Sequence, residues 1–182
     1  QTIIEREGFR TTSNKGNVLN YVGEEIKLED IKETVQTNSD NTTNTATDPV
    51  EKVTNLANSI TIPYSQYNTV KYTYNKETKT YARYSRDTLQ KDWNTNKAIE
   101  VKNIIITKCA NSTIDSYGRQ TISNIKTLDG YYITNGKYIP IKCEKTSRSG
   151  KTKYKDLKGN EIEVNDGKTF IQICPLESKI SF

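Results

Sequence analysis

From residue 60 onward, apolar positions alternate with polar ones, and clusters of Gly, Asn and Asp interrupt the alternation. Successive side chains of a strand point to opposite faces, so this period of two predicts half-buried β-strands joined by turns. Residues 60–64 read as a short strand whose Pro63 suits an edge or a strand end. Residues 70–74 put Val70, Tyr72 and Tyr74 on one face. Residues 81–84 return after the polar turn 75–79, which gives a hairpin. Residues 101–107 hold the run Ile104, Ile105 and Ile106, a strand buried on both faces. The polar segment 86–97 is expected to be anchored to the sheet by Trp93. Gly118, Gly130 and Gly159 read as turns, as do the nearby Asp115, Asp129, Asp156 and Asp166.

The last fifty residues carry the strongest local signals. Residues 131–134 and 137–144 flank Asn135-Gly136, a pair suited to a two-residue hairpin turn in which both positions have positive φ. Alternation in the second strand sets Ile139, Ile141 and Cys143 on one face, with Tyr138, Lys142 and Glu144 on the other. A turn at 156–160 leads to a strand at 161–164, and Asn165-Asp166-Gly167 turns into 169–174, closed by Pro175. The whole reads as an antiparallel meander. Before residue 60 the pattern predicts a helix over 2–7 ending at Gly8, a strand at 18–22, and helical turns at 28–35 and 51–58. Between them, 36–49 (QTNSDNTTNTATDP) lacks the apolar residues needed to offset ordering and reads as a mobile loop. The expected fold is therefore α+β: mostly antiparallel, with a twisted sheet of six or more strands, a C-terminal β-meander and minor N-terminal helices. An N-terminal segment at 1–59 precedes an antiparallel β domain at 60–182, together one compact unit.

Composition narrows the chemistry. Apolar residues make up 32% of the 182 positions, tyrosine is the main aromatic, and histidine is absent. Without imidazole the chain lacks the usual proton shuttle near neutral pH, the usual partner of a nucleophilic Ser or Cys, and the commonest metal ligand. No catalytic constellation, cofactor site or metal site is expected. Cys109, Cys143 and Cys174 form no CxxC pair. A bridge between Cys143 and Cys174 is conceivable, and buried thiols are the simpler expectation. No apolar run approaches the roughly 20 residues of a membrane helix, and the chain reads as a fragment of a longer protein.

Charge is uneven, with net −4 over residues 1–60 and +9 over the remainder. Lys137, Lys142, Lys145, Arg148, Lys151, Lys153 and Lys155 face a single acid, Glu144, between 137 and 155, with Tyr138 and Tyr154 interleaved. Such a stretch suits a polyanion, a nucleic acid or an anionic surface. A lysine-rich solvent face that protects an edge strand is the simpler expectation. The acidic first third speaks against a dedicated nucleic-acid binder.

At 131–175 the residues YYITNGKYIPIKCEK…TKYKDLKGNEIEVNDGKTFIQICP resemble the C-terminal domain of YerB-type bacterial lipoproteins, a family of unknown function. ITIPYS at 60–65, Tyr81 with Arg83, Asp92 with Thr95, Asn103-Ile-Ile and Gly118-Arg119 extend the resemblance. Cys143 and Phe170 stand where that pattern has tryptophan, and Gln90 lies near a position where histidine is common. The resemblance implies an extracytoplasmic protein of the Gram-positive cell envelope, tethered by a lipidated cysteine outside this segment and bearing an N-terminal domain not included here. The expected role is a binding or scaffolding module for a cell-envelope protein or polymer, and nucleic acid is not an expected partner. Its contact surface is the basic stretch with Tyr138 and Tyr154, joined by Arg83, Trp93 and Arg119. Two alternatives remain: a polyanion binder acting through 137–155, and a histidine-free cell-wall enzyme using Cys143 or a Lys-Tyr pair.

Overall fold

A computed structural model describes residues 18–35 and 50–182. Among the described residues there is no helix, and the domain is all-β. The expected α+β class is thereby corrected. Residues 28–35 and 51–58, expected as helical turns, instead contribute β2 (Lys32–Val35) and β3 (Val50–Val53), an antiparallel pair. Each has a valine, a threonine or both among few residues, and ladder pairing outweighs the weak helical tendency of so short a segment. The helix at 2–7 and the loop at 36–49 lie outside the described residues. The strand at 18–22 is β1 (Asn20–Val22).

The alternating region forms two sheets instead of one. The first has the order β14-β13-β12-β9-β16, built from Lys153–Lys155, Lys137–Glu144, Thr127–Thr134, Asn103–Cys109 and Thr169–Pro175. The second runs β4 (Ser59–Ser65), β5 (Asn68–Asn75), β6 (Thr80–Ser85) and β7 (Thr88–Leu89), with β8 (Glu100–Val101) also paired to β6. Pro63 sits in β4, an edge strand, as its missing N–H requires. A hairpin of β10 (Asn111–Thr113) and β11 (Gln120–Ile122), and a parallel pair of β1 with β15 (Glu163–Asn165), complete the chain.

The isoleucine run explains why two sheets are needed. Ile104 and Ile106 pack with Ile60, Ile62, Tyr72 and Tyr81 of the second sheet, whereas Ile105 packs with Tyr132, Ile141, Cys143 and Val164 on the opposite face. All three are fully buried, so β9 serves two cores. The hairpin at Asn135 (φ 50°) and Gly136 (φ 77°) forms as its sequence demands, with Thr134 opposite Lys137. The meander holds through β12, β13 and β14. It fails at the last strand: β16 pairs parallel to β9, Thr169 opposite Asn103. In that place Cys174 and Phe170 join Ile104 and Ile106 in the second core. Gly130 is no turn residue either. It lies inside β12, where an added Cβ would stand 2.2 Å from the Ile106 carbonyl oxygen, so close backbone approach demands glycine.

Buried asparagines fasten the irregular segment 23–31 to this frame. Asn165 accepts from the Ile26 N–H at 2.6 Å and donates to the Ile26 carbonyl at 3.0 Å and Thr134 Oγ1 at 2.9 Å. Asn55 accepts from the Ile31 N–H and donates to the carbonyls of Glu29 and Tyr138. Each amide stands in for a missing ladder partner, which satisfies backbone groups that burial would otherwise orphan.

Candidate functional site

The basic stretch 137–155 is largely neutralised by its own neighbours. Lys137 pairs with Asp30 at 2.5 Å, Lys142 with Asp129 at 2.5 Å, Lys153 with Glu161 at 2.8 Å and Lys155 with Glu144 at 2.6 Å. Lys145 donates to the Gly150 carbonyl, and Arg148 and Lys151 are exposed in the following loop. The two tyrosines are not stacking platforms. Tyr138 stacks on Phe182 with ring centroids 3.8 Å apart, and Tyr154 is buried in the first core. Sequence alone shows seven cations against one acid. The counter-charges Asp30, Asp129 and Glu161 come from outside that count or across a turn.

The other three expected contact residues do not join this stretch. Arg119 is exposed, held by Asp115 at 2.5 Å with its guanidinium 5.8 Å from the centre of the Tyr117 ring. Trp93 was expected to anchor its segment, yet it is 96% exposed. The 92–97 loop closes without it, because the Asp92 carboxylate accepts from the backbone N–H and the hydroxyl of Thr95 and Lys91 bridges Ala98. Those polar contacts satisfy the turn and leave the indole to solvent.

Arg83 is different. It projects from the centre of β6 into the space between the sheets, with its guanidinium 4.7 Å from the centre of the Phe170 ring. Its Nε donates to the Tyr72 hydroxyl at 3.3 Å, and no carboxylate pairs with it among the described residues. Tyr72 also accepts from Gln172 Nε2 at 2.5 Å, and Tyr64 donates to Gln172 Oε1 at 2.5 Å. Four strands thus converge: β4 supplies Tyr64, β5 Tyr72, β6 Arg83, and β16 Phe170 and Gln172. Period two places each on the inward face of its strand. Burial is the main cause that raises the pKa values of Tyr64 and Tyr72, which keeps both phenols protonated as donors. Tyr72 accepts twice and has no acceptor for its own proton among the described residues, and the guanidinium has further N–H groups in the same condition. Every buried side-chain nitrogen and oxygen of the cluster has a partner, and no carboxylate faces the guanidinium among the described residues. Of this group the sequence marks Arg83 alone as a contact residue, and sets it with the basic stretch; Gln172 meets Tyr64 and Tyr72 across 100 and more residues, which no local pattern shows.

The thiols offer no comparable chemistry. Cys143 and Cys174 lie in cores on opposite faces of the first sheet, which rules out the conceivable bridge, and all three cysteines are free and buried. Burial raises the Cys143 thiol pKa, and Thr107 Oγ1 lies 3.2 Å from its sulfur.

These features define an all-β domain of two sheets with a polar, donor-rich cluster between them. The chain belongs to the family described as protein of unknown function (DUF3048), C-terminal domain, whose model matches residues 60–171. It is similar to the YerB protein from Bacillus subtilis, known from a crystal structure, with 27% identity and a TM-score of 0.60. The similarity covers 71% of this chain and 45% of that one, so the chain spans less than half the length of YerB. No curated protein matches the chain.

Proposed function

We propose that this domain is a binding module of a cell-envelope protein, displayed outside the membrane, that holds a partner through an anionic group at Arg83 and Tyr72. The observation that carries the reading is a half-buried guanidinium with no carboxylate partner among the described residues, set between the Tyr72 hydroxyl and the Phe170 ring. A partly buried guanidinium that no carboxylate neutralises keeps its planar fork available, and that fork suits a carboxylate or phosphate. The extracytoplasmic setting draws its support from the YerB-type resemblance. The polyanion alternative draws less support, because Lys137, Lys142, Lys153 and Lys155 already have carboxylate partners. A Cys143-dependent enzyme draws none from a thiol buried against Thr107.

The test is a titration of the protein with acetate and with inorganic phosphate at constant ionic strength, following the backbone amide resonances of residues 72, 83 and 170, which all three proteins possess. The expected result is a saturable shift, absent from Arg83→Gln and weakened in Tyr72→Phe. A response equal in all three proteins overturns the reading. Fractionation of the full-length protein tests the compartment, and a cytosolic protein overturns that part.

A further inference from the structure

We infer that the outer edge of β16 receives an extended peptide as an added strand, one bearing an acidic side chain that reaches Arg83. The inference rests on the anion reading above and names the kind of partner that brings the anion.

Three observations carry it. First, β16 ends its sheet and has no ladder partner on its outer side among the described residues. The Lys168 carbonyl accepts from the N–H groups of Lys102 and Asn103, and the Leu176 N–H donates to the Cys109 carbonyl. Alternation then turns the backbone of 170, 172 and 174 toward β9, and that of 169, 171 and 173 outward. No backbone partner meets those outward groups among the described residues. The opposite edge of the same sheet is covered, since the Ile162 N–H donates to the Tyr154 carbonyl of β14 and Lys155 bridges Glu161.

Second, the edge lacks the usual protection. Strands left open in solution commonly carry a lysine, a central proline or a bulge that blocks pairing. The sequence TFIQICP has no charge, and its proline stands only at the far end. Ile171 and Ile173 are 40% and 42% exposed on the outward-facing side. At the C-terminal end an apolar cleft follows, lined by Tyr64, Ile122, Ile173 and Pro175. Added strands use this combination: main-chain pairing for affinity, with clefts for alternate side chains.

Third, charge selects among peptides. The inward side chains of β16 include Phe170, on whose ring Arg83 lies, and Lys168 precedes the strand. An acidic residue on a neighbouring strand would meet a cation that has no counter-charge among the described residues.

The probe is a short synthetic peptide of alternating valine and threonine with one central glutamate, alongside its glutamine version. Amide hydrogen exchange at Ile171 and Ile173 and the Arg83 Nε–H resonance are read on the unmodified protein. Slower exchange at both amides, a shifted Arg83 signal, and weaker binding of the glutamine peptide are expected. Ile173→Pro, which removes one outward N–H and leaves the β9 ladder intact, is expected to abolish the effect. Amides already protected in the free protein overturn the inference, as does binding that leaves their exchange unchanged. A shift at Arg83 without protection of 171 and 173 overturns strand addition while the anion reading stands. Protection that is equal for the glutamine peptide and in Arg83→Gln overturns the acidic contact, whereas the anion reading falls only if the acetate and phosphate titration is flat or equal in all three proteins.

Discussion

Removing the Tyr72 hydroxyl tests whether the polar cluster is one connected unit. Tyr72 is fully buried, and its oxygen accepts from Gln172 Nε2 at 2.5 Å and Arg83 Nε at 3.3 Å. In Tyr72→Phe the half-buried guanidinium can turn to water, but the Gln172 amide, 5% exposed, cannot. An orphaned buried donor costs about 1–3 kcal/mol, so destabilisation near 2 kcal/mol is expected. Gln172→Leu deprives Tyr64 and Tyr72 of their partner and is expected to cost a similar amount. The double variant leaves only the Tyr64 hydroxyl unpaired. It should therefore be more stable than the sum of the single losses predicts, by about 1–2 kcal/mol. Urea unfolding at fixed pH measures this, since about 2 kcal/mol moves the midpoint by roughly 1 M when the slope is about 2 kcal/mol per molar. Losses that add to within roughly 0.5 kcal/mol would refute the reasoning, because independent sites behave in that way.

Three further outcomes are expected. Gly130→Ala places a methyl 2.2 Å from the Ile106 carbonyl oxygen and 3.0 Å from Cys143 Sγ, and should cost roughly 3 kcal/mol, lowering Tm by about 10 °C in calorimetry. Arg86 (φ 48°) and Asp87 (φ 62°) form the two-residue turn between β6 and β7. Replacing them with Asn-Gly should raise stability by about 1 kcal/mol in the same assay, because both positions have positive φ. Glu25 is held at about pKa 2, first by the hydrogen bond from Lys79 and then by that from Lys102. Its folded pKa lies below the ordinary 4.5, so its contribution is present above that pH and is lost as pH falls toward 2. Acid titration of Glu25→Gln should flatten that part of the stability curve, by no more than about 1 kcal/mol for so exposed a pair.

What the sequence revealed was local. The Asn135-Gly136 turn, the faces of β13 and the two-sided burial of the isoleucines follow from neighbouring residues, and each was readable. What it concealed was pairing at distance. Nothing within TFIQICP says that it will lie parallel to β9 instead of continuing the meander. The strands β2 and β3 were equally hidden, since each depends on a partner across residues 36–49. The site shows the same division. Arg83 stands out as a cation in an alternating strand, while Tyr64 and Gln172 come beside it only when β4 and β16 meet. Trp93 misled because a lone tryptophan usually marks burial, whereas here Asp92 and Thr95 complete the loop without it.

The register of the first sheet has a consequence for synthesis. β9 acquires its second neighbour only when a stretch more than sixty residues downstream has been made, since Asn103 waits for Thr169. Until then a nascent chain presents one side of a strand that is all isoleucine at its centre, with open amides beside it, a hazard for any slow-forming long-range pairing. A protein built this way has reason to be shielded while it emerges, and shortening it before residue 169 would leave that flank bare.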